Sequence, residues 1–360
     1  MDMLYSKNHV TRENRAVGIW LLSVASLIIL MVLVGGLTRL TDSGLSITEW
    51  KPVTGALPPL SQADWMSEFD KYKAIPEYHL VNKDFSLEEF KYIYWWEWGH
   101  RQLGRVIGVV FFIPFMFFLM RGFIAKKNIL PLTGIFFLGG LQGFMGWYMV
   151  QSGLTDRVDV SQYRLAMHLG LALIIFCLVF WQALRLLQPA QTIAEPSRQI
   201  YFGYFLIFMV FMQSLLGALV AGLNAGKTYT DWPHMDGELF PSGLLDMQPV
   251  MDNFFESHLT VQFDHRIGAY LLLILVIIHF WSQFKQNAPT RMTAGLLMFG
   301  VIAQAVLGIV TLMQAVPMHL GALHQLGAVF VLALSVYHVY KLQHTPFPAQ
   351  TVLFQKLRFR

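Results

Sequence analysis

Eight long apolar runs constrain this chain more than any other feature. Each approaches the roughly 20 residues that a helix needs to cross a bilayer, and a helix satisfies its own backbone polar groups in lipid. The charged fraction is 13%, whereas soluble domains carry about 25%. We therefore predict an all-α integral membrane protein with eight transmembrane helices. They are placed near Ala16–Leu37, Gly99–Arg121, Leu130–Val150, Arg164–Leu187, Tyr201–Leu223, His265–Phe284, Met292–Gln314 and Leu320–Lys341.

Lysine and arginine are concentrated at one set of helix ends. That set comprises Lys7, Arg12, Arg15, Arg121, Lys126, Lys127, Arg185, Arg198, Lys285, Arg291, Lys341, Lys356, Arg358 and Arg360. The opposite short connections hold only Arg157 and Arg164. Because basic residues mark the cytoplasmic side, both termini are expected there. Two long aromatic connections, roughly 38–98 and 224–264, then face the periplasm. No cleavable targeting segment is apparent before Ala16, so we expect a bacterial inner membrane protein. The net charge of +4 does not indicate nucleic acid binding.

The chain contains a tandem repeat. Met31–Trp50 aligns without gaps on Gln213–Trp232, with identities that include Gly35 with Gly217. Later matches pair Gln142 with Gln304, Gly146 with Gly308 and the Ala-x-His segments ending at His168 and His324. Four helices in each half give both halves the same orientation, so an axis along the membrane normal should relate them. The sequence predicts two tandem pseudo-symmetric four-helix bundles, divided into residues 1–190 and 191–360.

Four of the twelve histidines fall at repeat-matched positions. They are His100, His168, His265 and His324, predicted in the outer turns of the second, fourth, sixth and eighth helices. Two histidines on facing helices can provide both axial ligands of a haem iron in the core of a bundle. Zinc is the alternative metal, but it usually takes further ligands and often sulfur. We therefore predict one bis-histidine haem site in each half.

The two halves differ beside these histidines. Glu97 stands three residues before His100-Arg101, whereas Gln262 stands at the corresponding place before His265-Arg266. A carboxylate beside a haem can hold a proton, orient water or stabilise a developing cation. The alternative for Glu97 is a carboxylate at a helix start, favoured by the helix dipole. We predict that the first half performs the chemistry and that the second half retains a haem.

Other polar residues near these sites have two interpretations each. Arg101 and Arg266 could pair with haem propionates, since guanidinium binds carboxylate bidentately, or could reach the interface as single cations. Gln142 and Gln304 are predicted to form hydrogen bonds between helices. His279 and His338 each follow a predicted ligand by 14 residues, or about 21 Å along a helix. They could bind a further haem, as in transmembrane cytochromes b.

Several motifs give a likeness to a known family. They are GLTRLT at 36–41, SGLS at 43–46, EWKPVTG at 49–55, Glu97-x-x-His100-Arg101 and His265-Arg266. Together they resemble the haem A synthase family, in the branch found in proteobacteria and mitochondria. The likeness extends from the first predicted helix to the eighth. Some members carry a cysteine pair in the first outer connection, whereas the single cysteine here is Cys177, so a thiol role is not expected.

The resemblance implies an oxidoreductase that converts a ring methyl of haem O into a formyl group. Successive hydroxylations followed by loss of water would give haem A for terminal oxidases. By match, His265 and His324 would be the axial ligands of a resident haem b. His100 and His168 would ligate or position the substrate haem O, and Glu97 would be the carboxylate implicated in the oxidation. The implied partners are the farnesyltransferase that makes haem O and an unidentified electron donor or acceptor, and a homo-oligomer is possible.

Two other functions compete with this one. A cytochrome b-like electron carrier would hold two haems in the second half, using His265 and His279 of one helix and His324 and His338 of another. A transporter with parallel repeats would need polar groups at the membrane midplane, but the conspicuous polar groups are predicted at its outer edge. Replacement of Glu97 separates the enzyme from the electron carrier, because the carrier does not need the carboxylate.

Overall fold

The computed structural model describes residues 10–155, 157–188 and 194–345. The predicted cytoplasmic basic residues Lys7, Lys356, Arg358 and Arg360 lie outside these ranges. Within them the chain is helical: α1 (Arg12–Leu40), α2 (Gln62–Lys73), α3 (Pro76–Leu80), α4 (Leu87–Met120), α5 (Lys126–Gln151), α6 (Gln162–Leu187), α7 (Arg198–Gly222), α8 (Asn253–Glu256), α9 (His258–Lys285), α10 (Arg291–Met313) and α11 (Met318–His344).

Eight of these helices are long and apolar enough to cross a membrane, as predicted from the sequence. They are α1, α4, α5, α6, α7, α9, α10 and α11. Large apolar side chains such as Phe137 and Phe299 remain exposed on their outer faces, where lipid can cover them. The structure is therefore that of a multi-pass membrane protein.

Helix α4 begins earlier than the sequence predicted. Ser86 and Glu89 form a reciprocal capping box that starts this helix at Leu87 rather than at Gly99. Such a box satisfies backbone N–H groups that a helix start would otherwise leave unpaired. Glu97 therefore lies almost three turns inside α4, which excludes the alternative of a helix-start carboxylate. α9 likewise begins at His258, before His265.

The two halves contact each other through four helices. Inside the first half α1 packs against α4 and α6, and inside the second half α7 packs against α9 and α11. Between the halves, α1 packs against α11 and α6 against α7. α7 is the repeat partner of α1, and α11 is the repeat partner of α6, so the repeat makes these two contacts equivalent. This equivalence is expected for halves related by an axis along the helices.

The connection between α1 and α4 forms a second, smaller core outside the membrane helices. Phe69, Tyr72, Phe90 and Tyr94 pack their rings together there and are buried. Leu45 and Ile47 belong to the same cluster. This packing fixes the segment 43–47 against the outer part of α4, which carries Glu97 and His100.

Candidate functional site

Each of the four repeat-matched histidines lies over a glycine of a neighbouring helix. A Cβ atom added to the glycine would lie 2.7–3.2 Å from Cε1 of the histidine, which is closer than ordinary van der Waals contact. The pairs are Gly35 with His100, Gly146 with His168, Gly217 with His265 and Gly308 with His324. The sequence repeat had matched both the glycines and the histidines without showing that they touch.

Three of these rings are also held by a glutamine. Nε2 of Gln142, Gln213 and Gln304 lies 3.0–3.1 Å from Nδ1 of His168, His265 and His324, respectively. The same amide nitrogen donates to the main-chain oxygen of that histidine at 2.7–3.0 Å. The predicted interhelical hydrogen bonds of Gln142 and Gln304 are therefore confirmed. Sequence reasoning missed Gln213, although it stands four residues before Gly217, the spacing that Gln142 has to Gly146 and Gln304 to Gly308.

The rings of His265 and His324 are spaced as two ligands of one metal. Their centroids are 6.5 Å apart and their planes are inclined by 83°. Two imidazoles that share a metal ion through bonds of about 2 Å place their ring centres roughly 6 Å apart. Four membrane helices of the second half surround this pair, which fits a haem held inside a bundle.

His279 and His338 are arranged differently. Their Nε2 atoms are 2.7 Å apart, whereas two bonds of about 2 Å to a shared iron need about 4 Å. Nδ1 of His338 lies 2.7 Å from the Thr293 hydroxyl, and the Phe202 ring stacks on His279. Both histidines are buried. This pair is a packed hydrogen-bonded contact, which is evidence against a further haem at these two residues.

Glu97 is buried and accepts hydrogen bonds at both carboxylate oxygens. Ser46 Oγ and the Ile47 backbone N–H donate to Oε2 at 2.8 and 2.7 Å. Nε and Nη2 of Arg101 donate to Oε1 at 3.0 and 2.5 Å. Arg101 also donates to the main-chain oxygens of Ile47 and Glu49. The segment 46–49 and α4 thus meet at one buried ion pair.

The second half has an arginine at the same place but a neutral glutamine, Gln262, instead of the carboxylate. Nη2 of Arg266 donates to the main-chain oxygen of Tyr229, the repeat equivalent of Ile47. Gln262 Nε2 donates to the same oxygen at 2.8 Å. Its Oε1 and the Arg266 Nε are buried, without a hydrogen-bond partner in the described part of the chain. The arginine contact with the connection is therefore common to both halves, whereas the carboxylate belongs to the first.

The two arginines contact protein groups in this structure. Arg266 Nη1 donates to the main-chain oxygen of His234, and Arg101 binds Glu97 as described. Neither contact tests the predicted pairing with haem propionates, which stays a prediction. No group of three or more His, Cys, Asp or Glu side chains that could hold a metal ion occurs among residues 10–155, 157–188 and 194–345. Cys177 packs against the apolar core.

Comparison with known proteins identifies the family. A family model described as cytochrome oxidase assembly protein matches residues 18–336. The chain belongs to this family. It is 52% identical over 335 residues to a protein of Parvibaculum lavamentivorans named Heme A synthase, covering 92% of this chain and 95% of that protein. A protein of the same name from Azorhizobium caulinodans is 52% identical, over 91% of this chain and 94% of that protein. Another from Nitrosomonas eutropha is 46% identical, over 94% of this chain and 95% of that protein.

Proposed function

We propose that this chain is a haem A synthase, an oxidoreductase that converts the ring methyl of haem O into the formyl group of haem A. Relatives of that name match it over nearly its full length. The finer proposal is a division of labour: the first half, within residues 1–190, oxidises haem O, and the second, within residues 191–360, retains a haem b. The observation that carries it is the ion pair of Glu97 and Arg101, where the second half has Gln262.

The residues present fit such a pair of haem sites. Each half offers two histidines over glycines, and a side chain on those glycines would fill the space that the rings use. His265 and His324 would be the axial ligands of haem b, and His100 and His168 those of haem O. When bound, the haem irons supply the redox chemistry. Ligation through Nε2 needs the proton on Nδ1. The glutamine amide would then have to turn by 180° and accept a hydrogen bond from that N–H with its Oε1, giving up the bond from its Nε2 to the main-chain oxygen.

Glu97 would act on the substrate from a fixed position. Arg101, Ser46 and the Ile47 N–H leave its carboxylate little freedom to rotate, so no reorganisation is needed as charge develops nearby. A carboxylate held in this way can stabilise positive charge at the methyl carbon, or accept the proton of one hydroxyl of the dihydroxylated carbon while the other hydroxyl leaves as water. Arg101 is a positioning residue in this mechanism, because it acts through Glu97.

The test is the haem content of the Glu97→Gln protein, purified from cells that make haem O. Extracted haems are separated by chromatography beside the wild type and a matched Glu88→Gln control, whose carboxylate is exposed on the same helix. We expect haem b to remain and haem A to fall at least a hundredfold, since loss of one fixed electrostatic group typically costs about 10² to 10³ in rate. Haem O or a hydroxylated intermediate should accumulate.

Other outcomes of the same test exclude the proposal or part of it. Haem A at the wild-type level in the Glu97→Gln protein would show that the carboxylate has no chemical role. Two haems b, with neither haem O nor haem A in any of the proteins, would favour the electron carrier instead. The direct contact of His279 with His338 already argues against that alternative.

We further propose the orientation and partners that the sequence predicted. Both termini would be cytoplasmic in a bacterial inner membrane, with the haem sites towards the periplasm. The basic residues Arg121, Lys126 and Lys127 support this placement. The farnesyltransferase that makes haem O would supply the substrate. Labelling of single cysteines placed at positions 60 and 125 with a membrane-impermeant reagent tests the orientation, and labelling at 125 alone would contradict it.

A further inference from the structure

His100 differs from the other three repeat-matched histidines in one respect. Its Nδ1 is buried without a hydrogen-bond partner among residues 10–155, 157–188 and 194–345, whereas a glutamine lies at Nδ1 of each of the other three. The ring nevertheless lies over Gly35 as His265 lies over Gly217. The position of the histidine ring over a glycine is therefore the same in both halves. The halves differ in the side chain that lies at Nδ1 of that ring.

The sequence repeat identifies the residue responsible. Met31 stands where the second half has Gln213, and the two side chains take corresponding paths. Gln213 reaches across to Gly268, one turn after His265, and the Met31 methyl group reaches Gly104, one turn after His100. A thioether has no N–H to donate and accepts hydrogen bonds only weakly. Met31 therefore fills the space of the glutamine without its hydrogen bonds.

The missing hydrogen bonds matter for a metal ligand. The partner of the second ring nitrogen fixes the orientation and tautomer of a ligating histidine and raises its basicity. Loss of such a partner typically lowers metal affinity by about 10- to 100-fold. In the second half, a glutamine lies at Nδ1 of both His265 and His324 and can give this support through its Oε1 once its amide has turned. In the first half, Gln142 can give it to His168 in the same way, and His100 has no such partner.

We propose that Met31 makes His100 the releasable ligand of the first half, so that this half lets its haem go after each turnover. His168, held by Gln142, keeps the ring system oriented while the bond to His100 forms and breaks. The second half, with both ligands clamped, retains its haem. This inference rests on the proposed function and assigns Met31 as a positioning residue that distinguishes the site of turnover from the site of retention.

The test measures haem release rather than activity. The purified full-length protein is loaded with ferric haem b at both sites and mixed with excess apomyoglobin, and transfer is followed by absorbance. Loss of one kinetic phase in His168→Ala and of the other in His324→Ala assigns the phases to the two halves. We expect the first-half phase to be the faster one.

Substitutions at the repeat-matched positions then decide the role of Met31. Met31→Gln should slow release from the first half about tenfold, which corresponds to about 1.4 kcal/mol. Met31→Leu, which also lacks an N–H, should release at the wild-type rate. The reciprocal Gln213→Met should speed release from the second half by a similar factor, and it decides the question alone if Met31→Gln does not fold.

The outcomes separate this inference from the proposed function. A folded Met31→Gln protein with an unchanged first-half phase overturns the role of Met31 and leaves the proposed function standing. So does an unchanged second-half phase in Gln213→Met. If the wild type binds no haem in the first half under any loading condition, the division of labour itself fails, and this inference fails with it.

Discussion

At the residue scale, the site depends on glycines as much as on histidines. Gly146 leaves room for the His168 ring, and Gln142, one turn earlier on the same helix, bonds to it. A ring that packs on the glycine and bonds to the amide cannot move far without losing one of the two contacts. The glycine is needed here for close approach and not for a special backbone conformation, because it lies within the regular helix α5.

We therefore predict that Gly146→Ala weakens haem binding in the first half. Its Cβ would lie 3.0 Å from Cε1 of His168, and displacement of one ligand should lower affinity about tenfold or more. The matched control is Gly143→Ala in the same helix, where an added Cβ meets nothing within 4 Å. The measurement is a spectral titration with haem. Equal titration midpoints for the two variants would contradict this prediction.

The sequence showed this residue pattern only in part. The repeat matched Gly35 with Gly217 and His100 with His265, but a one-dimensional alignment does not report which residues meet across helices. The partner of Glu97 was unpredictable for a similar reason. Arg101 is four residues away on the same helix face, yet Ser46 and Ile47 reach the carboxylate only because the connection after α1 folds back onto α4.

At the scale of elements, the long connection between α1 and α4 contains a buried acidic side chain, that of Glu77. Glu77 on the short helix α3 is 4% exposed, and its Oε2 has no hydrogen-bond partner in the part of the chain that the structure describes. Burial raises the pKa of Glu77 to about 8, and the hydroxyl of Tyr72 opposes this rise. The nearby carboxylates of Glu97 and Asp42 contribute to this rise.

The stability of this connection should fall as the pH rises. In the unfolded chain Glu77 ionises near its ordinary value of 4.5, and in the folded chain near 8. Between these values the folded state binds the extra proton, so the free energy of unfolding decreases with pH, by at most about 1.4 kcal/mol per unit. Below 4.5 the stabilisation is fully present, and above 8 it is lost.

The corresponding measurement is the rate of proteolysis within the connection at pH 6 and pH 9. The wild type should be cleaved faster at pH 9, whereas Glu77→Gln, which stays neutral, should lose that difference. Glu88→Gln is the control, since its carboxylate is exposed; it should keep the pH difference of the wild type. A pH difference in Glu77→Gln equal to that of the wild type would refute the role of the buried acid.

Helix existence was predictable and helix starts were not. All eight spans follow from apolar length, which the bilayer dictates. The start of α4 depends instead on Ser86 and Glu89, a polar capping signal that begins the helix at Leu87, twelve residues before the predicted start at Gly99. Residues 87–98 are amphipathic rather than apolar, so a criterion based on membrane crossing excludes them. Their burial against the aromatic cluster of the connection makes them helical.

At the scale of the whole molecule, the two halves are joined by polar contacts as well as by apolar packing. Gln162 at the start of α6 donates to Glu256 at 2.7 Å, and Tyr163 donates to the same carboxylate at 2.7 Å. Arg39 at the end of α1 donates to the main-chain oxygen of Ala221 on α7. These bonds fix the distance between the halves at the end that carries the histidine pairs.

The last prediction concerns this junction. Gly222 at the end of α7 faces Gln162, and an added Cβ would lie 2.7 Å from the Gln162 Cα and 2.6 Å from its Cβ. The Gln162 backbone cannot yield easily, because its side chain is fully buried and bonded to Glu256 and Arg157. Gly222→Ala should therefore destabilise the protein by about 1–3 kcal/mol, the usual cost of overpacking.

The measurement is thermal unfolding in detergent, with Gly108→Ala as the control. An added Cβ at Gly108 in α4 meets nothing within 4 Å, and alanine is the better helix former by up to about 1 kcal/mol, so its melting temperature should stay level or rise. Gly222→Ala should melt several degrees lower. Because the clash lies between the halves, its haem release phases should change together; an effect on one phase alone would mean that the halves are not coupled through this junction.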